Sequence, residues 1–89
     1  MEVNCTKTFR STKGKTVTVE AVVDDGRVRE VKVTGDFFVT DDRTFEEFEA
    51  SLRDKDCEGL KSLRVTHVML GASEEEVILA ILQCLPCSG

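Results

Sequence analysis

Between positions 16 and 23 every second residue is apolar: Val17, Val19, Ala21 and Val23 alternate with Thr16, Thr18 and Glu20. A strand sends successive side chains to opposite faces, so this stretch predicts a strand with one buried face and one wetted face. Asp24-Asp25-Gly26 follows, a strong signal for a tight reversal. The chain then returns over residues 27–34. On the return Val31 and Val33 share a face, while Val28 falls on the other. A bulge near Arg29 or Glu30 restores the parity, and bulges are frequent close to hairpins. Upstream, residues 6–11 predict a short first strand. Lys13-Gly14-Lys15 predicts the turn that joins it to the second, because glycine accepts the positive φ of a tight reversal.

The third strand stops at Gly35-Asp36, and two of the five phenylalanines follow directly as Phe37-Phe38. Such a corner needs defined places for its rings. We expect Gly35 in a conformation that a side chain would resist, Asp36 bonding nearby backbone N–H groups, and one phenylalanine plugging the core. The other is then available as an anchor for a partner protein. Beyond the corner the apolar period changes. Asp41 or Asp42 can cap a helix carrying Phe45, Phe48 and Leu52 at i, i+3 and i+7. Residues 56–64 predict a shorter helix with Leu60 and Leu63 inward, and residues 65–70 fit either a helical extension or an extended segment. Ser73 with Glu76 forms a capping box. It opens a helix that places Val77, Ile78, Ile81, Leu82 and Leu85 on one stripe and that Pro86 ends. Strands first and helices after predict an α+β domain: a three-stranded antiparallel sheet followed by two or three helices packed on one face.

With 89 residues the chain is expected to form a single domain spanning 1–89. A chain of this size buries only about 60–65% of its unfolded surface, so a cleft with its own floor and catalytic groups is hard to build. Size therefore favours a binding module or an accessory subunit. The net charge of −5 and pI near 4.8 argue against nucleic-acid binding, which depends on displacing phosphate counterions. Charge is uneven: Lys7, Arg10, Lys13 and Lys15 crowd the first fifteen residues against Glu2 alone, while the remainder carries eight basic and sixteen acidic residues. The N-terminus lacks the basic start and apolar run of a signal peptide. The longest apolar stretch, 77–82, is far short of the ~20 residues that span a bilayer. A cytoplasmic location is expected, with the four cysteines as thiols; intracellular proteins of hyperthermophiles are the exception that holds disulfides.

Cys84-Leu85-Pro86-Cys87 has the spacing of redox pairs and of half a zinc site. Redox pairs open helices, where the dipole favours thiolate; this one closes a helix. A zinc site would need Cys5 and Cys57 to converge on it, and there is no second such pair, so no metal site is expected. A disulfide fastening the terminus to Cys5 or Cys57 fits better. His67 reads as a half-buried packing residue among Val65, Val68, Met69 and Leu70. Glu46, Glu47 and Glu49, like Glu74, Glu75 and Glu76, read as solvated faces and partners of the positive end of the helix dipole. Residues 12–16 lack the upstream glycine of a phosphate-binding loop. No catalytic residue is assigned.

Taken in order, Lys13-Gly14-Lys15, the valine-rich strand, Asp25-Gly26-Arg27-Val28, Val33-Thr34-Gly35-Asp36-Phe37-Phe38 and the acidic helix resemble the small C-terminal domain of lipoate–protein ligases, over roughly residues 6–85. With only Met1 to Cys5 ahead of the match, the chain is similar to the separate accessory subunit of the two-part archaeal ligases. The resemblance implies a heterodimer with a large catalytic subunit. That subunit binds ATP, Mg²⁺ and lipoate, and this chain binds no cofactor alone. The small subunit is implied to be required for forming lipoyl-adenylate, whose lipoyl group passes to lipoyl carrier domains. Lys13, Gly14 and Lys15 are expected near the mouth of the adenylation site. Gly35, Asp36, Phe37 and Phe38 are the expected corner or partner interface. The competing expectation is a stand-alone binding or redox-linked module built on the cysteines.

Overall fold

The computed structural model describes residues 1–87. Strands β1 (Val3–Arg10), β2 (Thr16–Asp24) and β3 (Arg27–Gly35) form an antiparallel sheet in the order β1-β2-β3. The alternation in β2 does what its period requires: Val17, Val19, Ala21 and Val23 are all buried. Asp25, at φ 54°, begins the reversal into β3. The register then steps. Val23 pairs with Val28 but Val22 pairs with Glu30, which leaves Arg29 as the inserted residue. That single insertion lets Val28 and Val33 both reach the core despite their odd spacing.

Helix α1 (Asp42–Ser51) is capped by Asp41, whose carboxylate accepts from the N–H groups of Arg43 and Thr44 at 3.1 and 3.3 Å. It turns Phe45, Phe48 and Leu52 inward. Helix α2 (Cys57–Lys61) is shorter than the period suggests, and it starts at the cap Asp56. Helix α3 (Glu74–Leu82) starts at Ser73 and stops at Gln83, before Pro86 is reached. It brings Val77, Ile78 and Ile81 into the core, and Leu85 follows from beyond its end. Helices and loops cover one face of the sheet around Val17, Val19, Leu52, Leu60 and Ile81, each no more than 1% exposed. A fully buried aliphatic side chain of this kind contributes about 1.5–3 kcal/mol.

Residues 65–70, which fit helix or strand equally by pattern, are extended. Met69–Leu70 (β5) pairs antiparallel with Phe38–Val39 (β4) to form a separate two-stranded ribbon. Two residues are too few to show a period, so this ribbon had no signature in the sequence.

The two edges of the main sheet differ. Along β3, Val28 donates its N–H to Lys55 O (3.0 Å) and accepts from Asp54 N–H (2.7 Å), and Val33 N–H donates to the Glu49 carboxylate at 3.1 Å. Glu49 is thus a structural ligand of the sheet edge rather than part of a solvated face. Along β1, among the described residues, no main-chain partner is found beyond β2. Lys7 lies half-buried in that strand.

Two disulfides close the fold. Cys5 in β1 bonds to Cys84, and Cys57 at the start of α2 bonds to Cys87, with Cα–Cα distances of 5.9 and 5.8 Å. The expectation of four thiols is corrected, and that of a disulfide fastening the terminus to Cys5 or Cys57 is met at both: packing of α3 and the segment after it brings each pair within bonding reach. Among the described residues no helix is long and apolar enough to cross a membrane.

Candidate functional site

Three segments far apart in sequence meet at one end of the molecule, and hydrogen bonds define how. Residues 11–15 form a tight turn: Ser11 N–H donates to Lys15 O at 2.7 Å and Gly14 N–H to Ser11 O at 2.9 Å. Ser11 itself is buried, and its hydroxyl accepts from Lys13 N–H. The turn is tied to the β4–β5 ribbon, because Lys15 N–H donates to Gly71 O at 3.1 Å. The Lys15 stem fills the space a Cβ on Gly71 would need. The corner after β3 joins next. Asp36 N–H donates to Thr16 O at 3.1 Å, and a Cβ on Gly35 would collide with that same oxygen. Asp36 therefore contributes through its backbone; among the described residues its carboxylate takes no N–H, contrary to expectation.

Phe37 turns toward the core, with its ring 5.7 Å from that of Phe45. Phe38 points out and is 69% exposed. Its cross-strand partner Leu70 is 54% exposed. Residues directly opposite in an antiparallel pair have neighbouring side chains. The surface therefore presents an apolar Phe38–Leu70 pair, and the exposed turn carrying Lys13 and Lys15 is bonded to Gly71, the residue next to Leu70. The turn of Lys13 and Lys15 and the corner of Gly35, Asp36 and Phe38 are thus joined through Thr16 and Gly71, and Phe37 anchors the corner on Phe45. Leu70 and Gly71 complete the surface. Pattern reasoning missed them because their role depends on a ribbon pairing thirty-two positions apart. Cys5, Cys57, Cys84 and Cys87 stand apart as crosslinks. Cys84 and Cys87 bond to different partners and not to each other, so the CxxC spacing is not that of a redox pair here.

The 11–15 turn is also bonded to the first turn of α3, where three consecutive carboxylates have three different environments. Glu76 grips the basic turn: it accepts from the Ser11 hydroxyl at 2.5 Å, from Thr12 N–H at 3.0 Å and from the Ser73 hydroxyl at 3.1 Å. The capping box is therefore only half formed. Ser73 Oγ accepts from Glu76 N–H, but the glutamate reaches out to another loop. Glu75 is exposed and meets His67 Nε2 at 2.5 Å. His67 is likewise exposed, not the half-buried packing residue its apolar neighbours suggest. Glu74 is 1% exposed, and its Oε2 accepts from the N–H groups of Val68 and Met69 at 2.9 and 3.2 Å. Read as a solvated face in the sequence, this turn instead organises the turn 11–15 and the approach to β5.

The Ser11 hydrogen bond, followed by that of Thr12 N–H, holds the Glu76 carboxyl below its ordinary value of 4.5. A depressed carboxyl stabilises the fold above its unfolded value and loses that contribution as pH falls through the folded one. The urea midpoint should be level above pH 5 and fall below about pH 4.5. Glu76→Gln should lower the midpoint at pH 7, by about 1.5 kcal/mol for a charge-assisted bond half open to water. It should also flatten the acid limb. Equal acid sensitivity in wild type and variant would show that Glu76 is not the group responsible.

A hollow of about 580 Å³ lies elsewhere, and its lining includes Asn4, Thr6, Glu20, Glu30, Lys32 and Arg53. Cys5 in its lining is disulfide-bonded and offers no thiol nucleophile.

Comparison with known proteins places these features in context. The family model described as bacterial lipoate protein ligase C-terminus matches residues 1–81. No curated protein matches. A solved structure, described as that of an archaeal lipoylation system comprising a bi-partite lipoate protein ligase and its E2 lipoyl domain from Thermoplasma acidophilum, has a chain similar to this one. The TM-score is 0.69 at 20% identity, over 91% of this chain and 97% of that one.

Proposed function

The chain belongs to the lipoate protein ligase C-terminal family, and from that premise we propose that it is an accessory subunit that docks on a larger catalytic partner. ATP, Mg²⁺ and lipoate bind the partner, and the pair forms lipoyl-adenylate and lipoylates carrier domains. The observation that carries this reading is the composite surface of Phe38, Leu70, Lys13 and Lys15. Adenylation brings a carboxylate against the α-phosphate, two anions that repel, so catalysis rests on positioning, charge neutralisation and exclusion of water. A small domain can serve all three by closing over the site without supplying a reacting group. The exposed Phe38–Leu70 pair acts as the anchor. The neighbouring lysines supply positive charge at the mouth.

Lipoyl-adenylate formation by a purified large subunit, with and without this chain, tests the proposal. Phe38→Asp should weaken association about thirtyfold or more, the effect of losing an interface anchor of roughly 2 kcal/mol. Its melting temperature should stay unchanged, because the ring is exposed. Lys13→Ala with Lys15→Ala should leave association intact and slow adenylation. Full stimulation by both variants would remove the surface from the account, and turnover by this chain alone would remove the accessory role.

A further inference from the structure

One buried group is left unexplained by docking. Glu74 is 1% exposed, and while its Oε2 accepts two backbone N–H groups, its buried Oε1 has no hydrogen-bond partner among the described residues. An orphaned carboxylate oxygen in the interior is costly, and such oxygens are normally met by a donor or a cation. Glu74 is also the buried member of a group with His67 and Glu75. One donor atom from each lies within 4.8 Å of the other two. Two of the three, His67 and Glu75, are exposed and free to adjust by side-chain rotation.

We propose that His67, Glu74 and Glu75 form a binding site for a divalent first-row transition metal, with Zn²⁺ as the probe. One imidazole and two carboxylates suit such an ion, whose bonds to nitrogen and oxygen run near 2.0–2.2 Å. The 2.5 Å contact between His67 and Glu75 opens as the cation enters between them. Glu74 is already oriented, because the N–H groups of Val68 and Met69 hold one oxygen and leave the other for the ion. The two carboxylates balance the charge of the dication, and three protein ligands leave a coordination position open. The ion ties the segment before β5 to the start of α3. This inference does not depend on the ligase reading.

The test uses the full chain, oxidised, stripped with chelator, and verified to have no titratable thiol, so that cysteines cannot bind the probe. Calorimetric titration with Zn²⁺ should show one ion per chain at micromolar concentration, and Zn²⁺ should raise the melting temperature. His67→Ala and Glu75→Gln, both at exposed positions that leave the fold intact, should each weaken binding at least roughly tenfold and abolish the thermal shift. Co²⁺ should give visible d–d absorption that the same variants remove. Absence of binding below millimolar Zn²⁺ overturns the proposal. So does binding indifferent to both variants, or binding that appears only after reduction.

Discussion

Cys5→Ser with Cys84→Ser is expected to destabilise the domain by about 4 kcal/mol, because this crosslink joins residues 79 apart and restricts nearly the whole unfolded chain. For a small domain whose total stability is on the order of 5–15 kcal/mol, that is a major share. The melting temperature should fall by about 15–30 °C, at several degrees per kcal/mol for a chain of this size. The Cys57–Cys87 bridge spans 30 residues and should contribute somewhat less. Both bridges end in the segment after α3, so the double loss should also release that segment and expose Leu85, now buried. Thermal unfolding of wild type, each paired variant and the reduced protein measures this. A shift of only a few degrees on full reduction would show that packing alone holds the terminus.

The second large effect is expected at Gly35. Its φ of 152° lies where side chains are rarely tolerated, and an added Cβ would run into the Thr16 carbonyl oxygen, with Val17 Cα at 3.1 Å. Backbone strain of about 1–3 kcal/mol and an overpacking cost of about 1–3 kcal/mol should therefore act together in Gly35→Ala. The Asp36–Thr16 hydrogen bond, which fixes the corner, should be lost as well. Gly14→Ala isolates the backbone part, since its φ is also positive, at 109°, but the new methyl meets nothing within 4 Å. The variant at Gly35 should cost clearly more in urea unfolding, and it should misplace Phe38 and weaken partner binding. Equal losses at the two glycines would mean that the corner yields without strain.

How far the sequence foretold the molecule follows from how local each feature is. The β2 alternation, the Asp25-Gly26 reversal and the stripe of Phe45, Phe48 and Leu52 are written in neighbours a few residues apart, and each forms as its period demands. Even the bulge was legible, because Val28 and Val31 conflict in parity. The ribbon of β4 and β5 was not, since two-residue strands carry no period. Glu74 and Glu76 misled for a related reason. Acidic residues in a first helical turn suit the dipole whether or not they are solvated, and only the fold shows that Ser11, Thr12, Val68 and Met69 take them up. The corner residues could be singled out by composition. Their meeting with Leu70 and Gly71 could not, because it is set by the tertiary pairing.

The asymmetry of the sheet's rims has a directional consequence. With Lys55, Asp54 and Glu49 taking up the Val28 N–H and carbonyl and the Val33 N–H, one border is partly closed, whereas among the described residues Val3–Arg10 meets no main chain beyond β2. Lys7, half-buried in that strand, stands guard there, because an incoming chain laid flat would have to accommodate its charge. Indiscriminate stacking into fibrils along that flank is thereby discouraged.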